Sequence, residues 1–272
     1  MSNSYNIIIN NNNNDNDNKI DNRLFPGYPL YCEGLNKPLL RGIFHLIPTI
    51  FLPFGLWHLI RESNNNSISI FAVFIYITTN ILCYGLSALY HIGRWSIQTE
   101  ILLQKLDHCG IAMLSVGTFI PTTLLLLSPI VSISFLITLI SLLIWTCYNI
   151  FNLRPSVLRQ ISIPLSSLPF LLIQTIIYND DYGNGYTKTE WILYCIVVFF
   201  KILSLSVFVN AWPNPFPKTF GYHEIFHILV VFAGITIYIT NWSIIRRVCN
   251  PYHHNNDVII IILKQFFLYD IK

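Results

Sequence analysis

Two histidines, His223 and His227, stand four residues apart at the start of a long apolar run that extends from Ile228 to Trp242. On a helix, residues i and i+4 lie above one another on one face, so both imidazole rings can reach a single point. Ionisable side chains inside a membrane segment are rare, costly and usually functional. We therefore interpret this pair as part of a metal centre held between membrane helices.

Two earlier stretches supply further groups for such a centre. His91 ends an apolar run and has Ser87 one helical turn before it, while Asp107 stands near the start of the next apolar run. Three nitrogen ligands with an open fourth position are typical of a catalytic zinc site. We predict that His91 binds Zn²⁺ together with the two later histidines. Asp107 would act as general base or orient the water that zinc activates, and Ser87 would bond that water or a substrate oxygen.

Other polar residues are given simpler interpretations. A single histidine near a helix end is more often a hydrogen-bonded residue at the membrane interface than a metal ligand. This interpretation is kept for His45, His58 and His108. Arg41 is predicted to be a topological anchor, with His45 a packing residue or a support behind a metal ligand. Lys201, in the middle of an apolar segment, is predicted to face a polar cavity or to snorkel to the interface.

The composition indicates the class of protein to which the chain belongs. Apolar residues make up 53% of the 272-residue chain and charged residues 11%, and the mean hydropathy is +0.53. Soluble globular chains carry about 25% charged residues, so this chain has too little polar surface to face water all round. The net charge of +3 is too weak to indicate nucleic-acid binding. The six cysteines are scattered, which argues against a disulfide framework or a thiolate metal site.

Seven apolar segments each approach the roughly 20 residues that a bilayer requires. We therefore predict an all-α, polytopic membrane protein, built as a bundle of seven transmembrane helices. Two prolines, Pro164 and Pro169, predict a kink in the fifth segment. The segments cover approximately residues 41–60, 69–91, 105–127, 130–150, 157–178, 190–211 and 222–242.

Three regions follow from this division of the chain. Residues 1–36 are predicted to form a disordered, Asn-rich cytoplasmic tail, residues 37–245 the seven-helix membrane domain, and residues 246–272 a C-terminal tail that is interfacial or frayed. No cleavable signal peptide is expected. The lysines and arginines near the span ends favour an N-terminus in the cytoplasm and an extracellular or lumenal C-terminus. This topology brings four polar residues to one membrane depth: His91, Asp107, His223 and His227.

The motifs also resemble the haemolysin III / progestin and adipoQ receptor family. The resemblance covers about residues 36–242 and rests on five stretches that occur in the family's order. They are Lys37-Pro38-x-x-Arg41-Gly42-x-x-His45, Ser87-x-x-Tyr90-His91, Leu106-Asp107-His108-x-Gly110-Ile111, Gly117-Thr118-Phe119-Ile120-Pro121 and Pro215-x-Pro217-x-x-Phe220-Gly221-Tyr222-His223-Glu224-x-Phe226-His227.

The resemblance implies a seven-helix membrane protein with a cytosolic N-terminus, and a zinc ion bound at the positions of His91, His223 and His227. It implies that Asp107 and Ser87 lie close to the zinc-bound water. Related members act as lipid-linked receptors with ceramidase-like hydrolytic activity, and others are named for haemolysis or macrophage differentiation. Arg41 and His45 replace the acid-and-asparagine motif of many members, so the chain fits the bacterial-like and macrophage-differentiation-like branch better than the adiponectin-receptor branch.

Three functions remain open at this point, all of them with membrane lipids as partners. The first is zinc-dependent hydrolysis of an amide or ester bond in a lipid such as a ceramide. The second is a receptor or membrane regulator in which zinc only holds the helices together. The third, a pore-forming haemolysin, is suggested by the family name alone, because the spans show no repeated polar stripe typical of a conducting path.

Overall fold

The computed structural model describes residues 30–34, 37–152 and 185–250, and this part of the chain is helical without a β-strand. A short 3-10 turn, Tyr31–Glu33, precedes the first long helix. The α-helices are α1 (Ile43–Glu62), α2 (Ser67–Ile92), α3 (Ile97–Gly117), α4 (Ile120–Leu126), α5 (Pro129–Asn152), α6 (Lys188–Asn210) and α7 (Tyr222–Cys249).

Six helical segments in the described ranges are long and apolar enough to span a membrane, with α3 and α4 together forming one segment, Ile97–Leu126. Their outward faces carry exposed large side chains such as Phe51, Phe54 and Trp57 of α1. Soluble proteins rarely expose apolar surface so extensively, whereas lipid tails solvate it. The predicted class, an all-helical multi-pass membrane protein, is confirmed. The fifth predicted segment, including Pro164 and Pro169, and most of both predicted tails lie outside the described residues.

The helices pack in an order that brings the first and the last described helix together. α1 packs against α2, α2 against α3, and α3 against α5, while α7 packs against α1, α4 and α6. The main hydrophobic core joins buried side chains from α1, α2, α6, α7 and the link between α3 and α4, including Leu59, Tyr76, Phe119, Val197 and Ile237. Because α7 contacts both α1 and α6, residues from its first turns can meet residues from the early helices.

The observed helix ends agree with the predicted ends to within two residues for the first, second, fourth and sixth segments. The predicted start of the third segment, near Lys105, is wrong. α3 begins at Ile97, where the Ser96 side chain accepts a hydrogen bond from the N–H of Thr99, a common helix N-cap. Asp107 therefore lies in the third turn of its helix and not in the first. α7 also extends beyond its predicted end, to Cys249.

α3 and α4 are separated at Thr118, just before Pro121. Proline has no N–H and leaves a backbone carbonyl of the preceding turn without its usual donor. The fully buried Asn241 of α7 bonds to this region, because its Nδ2 donates to the Thr118 carbonyl at 3.2 Å. The Thr122 hydroxyl in turn donates to the Asn241 Oδ1 at 3.4 Å. Helix breaks within a membrane are tolerated where neighbouring helices satisfy the backbone in this way.

Gly117 allows α3 to approach α2 closely, and its replacement gives a first prediction. A Cβ atom on Gly117 would lie 1.7 Å from the hydroxyl oxygen of Thr79, which is itself bonded to carbonyls of its own helix. We expect Gly117→Ala to lower the free energy of unfolding by about 1–3 kcal/mol, the usual effect of overpacking. Thermal unfolding in detergent measures this change. Gly85→Ala is the matched control, since its Cβ would meet its nearest neighbour at an ordinary 3.5 Å, and equal melting temperatures for both variants would contradict the prediction.

Candidate metal centre

Three histidine rings from two helices meet near one end of the bundle. His91 lies in the last turn of α2, and His223 and His227 lie in the first two turns of α7. The Nε2 atoms of His91 and His223 are 3.3 Å apart. One ligand atom of each of the three rings lies within 4.8 Å of the other two. The structure thus brings together the three histidines that the sequence analysis selected as metal ligands.

The spacing of these nitrogens fits a transition metal. Zinc–nitrogen bonds are about 2.0–2.1 Å long, so nitrogens around a tetrahedral ion lie roughly 3.3 Å apart. His91 and His223 are already at that separation, and a small ring rotation would bring the third nitrogen to the same point. His91 and His227 are 3% and 2% exposed, so water screens the cluster poorly. Three imidazoles this close repel one another when charged, which favours the neutral form that binds metals.

A carboxyl group and a hydroxyl group stand beside the histidines. The Oδ2 atom of Asp107, on α3, is 3.7 Å from the Nε2 atom of His91. Ser87 is buried one turn before His91 on α2, within hydrogen-bonding reach of the Asp107 carboxyl. Because α2 and α3 pack along each other, this contact holds the carboxyl next to the nitrogens. Such a carboxyl can accept a proton from a water molecule placed at the cluster.

Glu224, between the two histidines of α7, anchors the start of that helix. Its carboxylate forms an ion pair with Arg41, which lies just before α1, and accepts a hydrogen bond of 2.7 Å from the N–H of Gly221. Glu224 is fully buried. The pair therefore fixes the turn that carries His223 relative to α1. Arg41 was predicted to be a topological anchor, and the structure adds this specific partner, which the sequence analysis did not identify.

Breaking this ion pair gives a second prediction. Glu224→Gln leaves the guanidinium of Arg41 without its countercharge in a largely buried position, and removal of one partner from a buried ion pair is strongly destabilising. We expect the free energy of unfolding to fall by about 3 kcal/mol, measured by chemical unfolding in detergent. The double variant Arg41→Met/Glu224→Gln should recover part of that loss, since no unpaired charge remains. A single variant as stable as the unchanged protein would contradict the prediction.

The 3-10 turn Tyr31–Glu33 covers this end of the bundle. The buried carboxylate of Glu100, on α3, accepts hydrogen bonds from the backbone N–H groups of Tyr31 at 2.6 Å and Cys32 at 3.0 Å. The Tyr31 hydroxyl accepts a hydrogen bond of 2.8 Å from Arg41. The Tyr31 ring stands edge-on to the His91 ring, with their centroids 6.3 Å apart. α3 and the start of α1 thus hold the turn directly against the cluster.

A comparison with protein families gives the family of the chain that carries this cluster. A family model described as Haemolysin-III related matches residues 33–238. The chain belongs to the haemolysin-III-related family. The match extends from the 3-10 turn into α7 and confirms the family resemblance that the motifs predicted. It contains every residue of the candidate centre: Arg41, His45, Ser87, His91, Asp107, His223, Glu224 and His227.

Two further histidines of this haemolysin-III-related protein were predicted to be structural or to support a ligand. His45, in the first turn of α1, stacks on His227 with ring centroids 3.9 Å apart and an angle of 8° between the planes. It therefore lies directly behind one of the three candidate ligands. His108 follows Asp107 on α3, and its Nδ1 lies 2.8 Å from the carbonyl oxygen of Gln104 in the same helix.

Two other polar side chains that the sequence analysis discussed lie elsewhere in this haemolysin-III-related protein. The ammonium group of Lys201 lies 5.3 Å above the centre of the Phe119 ring. Lys201 therefore points into the bundle, and the polar cavity predicted for it stays a prediction. His58 lies towards the other end of α1, where its Nδ1 is 2.8 Å from the hydroxyl oxygen of Tyr238. The satisfied, non-ligand interpretation of His58 fits this contact.

All six cysteines of this haemolysin-III-related protein are free thiols. Cys83 and Cys109 are buried between helices, as expected for cysteines that pack as small hydrophobic residues, whereas Cys32 and Cys195 are exposed.

Proposed function

We propose that this chain is a seven-span, zinc-dependent hydrolase that cleaves an amide bond in a membrane lipid such as a ceramide. The proposal rests on the cluster of three histidine nitrogens within 4.8 Å of one another, with the Asp107 carboxyl 3.7 Å from one of them. A structural zinc site is normally closed by four protein ligands, whereas a catalytic site keeps a position open. Zn²⁺ would be held by His91, His223 and His227.

The roles of the protein groups follow from their positions. When bound, zinc supplies Lewis-acid chemistry that polarises a carbonyl group and favours deprotonation of water near neutral pH. Asp107 accepts the proton of the water that attacks the amide carbon, and delivers it to the nitrogen as the C–N bond breaks. One water is consumed, and a fatty acid and an amine are released. Ser87 keeps the carboxyl of Asp107 in place for both transfers.

A lipid substrate is supported by the surroundings of the cluster. The site lies within the helix bundle, its end is covered by the Tyr31–Glu33 turn, and the outer faces of the helices are apolar. A substrate already in the bilayer can approach such a site between helices. For the topology, we propose that residues 157–178 supply the remaining span, with the N-terminus cytoplasmic and the C-terminus extracellular or lumenal, as the lysine and arginine distribution favours.

A second candidate function is a lipid-linked receptor in which zinc is purely structural. The observation in its favour is that the three ligands come from α2 and α7, so that an ion would tie together two helices that are far apart in the sequence. Metal removal would then destabilise the fold, and no chemical step would depend on Asp107.

The two functions are separated by an assay with purified, reconstituted protein and labelled ceramides of several chain lengths. We expect release of labelled fatty acid from the zinc-loaded protein, loss of release after chelation, and recovery when zinc is restored. Absence of metal-dependent turnover in protein shown to contain zinc would end the hydrolase proposal. A shift of the melting temperature with zinc, without turnover, would support the receptor.

A further inference from the structure

Two buried polar side chains behind the candidate metal centre have no hydrogen-bond partner among the described residues. They are His45, with both ring nitrogens unpaired, and Tyr84, whose hydroxyl is unpaired. These residues are only 4% and 2% exposed, and their ring centroids are 5.0 Å apart. Buried polar groups in native proteins nearly always have a partner. The pair therefore offers hydrogen-bonding capacity that no described residue uses.

The position of the pair relates it to the centre. His45 stacks on the ring of His227. Tyr84 lies three residues before Ser87 and seven before His91, so all three occupy one face of α2. Since α2 ends next to His91, Tyr84 lies roughly 10 Å farther into the bundle. A molecule whose reacting bond is at the histidines can thus reach the pair with a group a few bonds away.

The surroundings of Tyr84 show that its hydroxyl is not needed for packing. Asn80, one helical turn before Tyr84 on the same buried face of α2, has such a partner, because its amide donates to the carbonyl of Tyr76 at 2.7 Å. The hydroxyl of Tyr84 instead lies against the backbone of α7 at Gly234, where a Cβ atom would come within 2.3 Å of it. A phenylalanine at position 84 would fill the same space without leaving a polar atom unpaired.

We propose that His45 and Tyr84 form a subsite that binds a hydroxyl group of the lipid substrate beside His227. This inference rests on the proposed function and deepens it. An imidazole nitrogen and a phenol can together offer one donor and one acceptor, and a hydroxyl group is the smallest neutral group that uses both. A phosphate or an ammonium group is disfavoured, because neither side chain supplies the opposite charge, and a charged imidazole stacked on His227 would oppose metal binding.

The test measures binding separately from catalysis. Zinc-loaded, full-length protein carrying Asp107→Asn, which is expected to slow turnover strongly, is titrated with a short-chain ceramide and with an otherwise identical lipid that lacks one hydroxyl group. Displacement of a fluorescent lipid gives the two dissociation constants, for each hydroxyl position in turn. We expect one hydroxyl whose removal weakens binding about tenfold, and Tyr84→Phe and His45→Phe each to abolish that difference.

Both substitutions preserve an aromatic ring at its position, and His45→Phe keeps a ring stacked on His227. Zinc content and melting temperature verify that the variants retain the centre and the fold. If His45→Phe does not fold, the result for Tyr84→Phe alone decides the test. Tyr194→Phe, which removes the hydroxyl of a buried tyrosine on α6, is the matched control and should leave the preference for the hydroxyl unchanged.

Two results would overturn the subsite. One is equal binding of all the lipids by the parent protein, and the other is a hydroxyl preference that persists in both variants, in which case the pair holds only a water molecule. The proposed function is tested by turnover in the protein with Asp107 intact. A hydroxyl preference without turnover would end the hydrolase and keep the subsite, whereas turnover without the preference would end the subsite alone.

Discussion

Alanine at both His223 and His227 is expected to leave the purified protein without zinc, whereas the unchanged chain should carry about one ion per molecule. The two rings supply two of the three nitrogens that lie within 4.8 Å of one another. A single remaining imidazole cannot hold an ion in competition with water and buffer. Metal analysis of detergent-purified protein by mass spectrometry measures the content directly, and hydrolysis of labelled ceramide should be lost with the metal.

His58→Ala is the matched control for this double variant. His58 is also a membrane-helix histidine, but it contacts Tyr238 towards the opposite end of α1. We expect it to retain the zinc content of the unchanged protein. A double variant that keeps its zinc would show that the ion binds elsewhere, and both the ligand assignment and the proposed chemistry would then be wrong.

Replacing Asp107 by asparagine is expected to slow lipid hydrolysis by about 10²- to 10⁴-fold, the usual contribution of a general acid–base group. Asparagine has nearly the same shape and can still accept a hydrogen bond from Ser87, but it cannot take up a proton. The zinc content and the melting temperature should therefore stay close to those of the unchanged protein. The turnover number, measured with saturating lipid in reconstituted protein, gives the effect.

A second carboxylate provides the comparison for Asp107. Glu62→Gln removes a carboxylate at the opposite end of α1, near His58, and should leave turnover within about twofold. If Asp107→Asn lowered the melting temperature while turnover per folded molecule stayed the same, Asp107 would be a structural residue. That outcome would favour the receptor over the hydrolase.

The sequence predicted the histidine cluster well because the chemistry and the topology agree. His223 and His227 share a helix face by spacing alone, and the predicted alternation of seven spans places the end of the second span at the same membrane depth. The stacking of His45 on His227 could not be predicted, because it depends on how closely α1 and α7 approach. Spacing along one helix is a local property, whereas contacts between helices depend on the whole bundle.

Buried acids are the main feature that sequence reasoning missed. Glu100 and Glu224 are buried although each lies in the first turn of its helix, where an acidic residue normally faces solvent and favours the helix dipole. Each has a specific partner: backbone N–H groups of the 3-10 turn for Glu100, and Arg41 for Glu224. The start of α3 was predicted too late in the sequence, because its polar first turns lower the local hydropathy below that of a typical span.

The 3-10 turn Tyr31–Glu33 determines from which direction the histidines can be reached. Glu100 and Arg41 hold this turn across the end of the bundle, so a molecule that approaches His91 from that side meets the ring of Tyr31 first. The thiol of Cys32 is exposed on this turn, so a fluorophore attached there would report a displacement of the turn as a change in its surroundings.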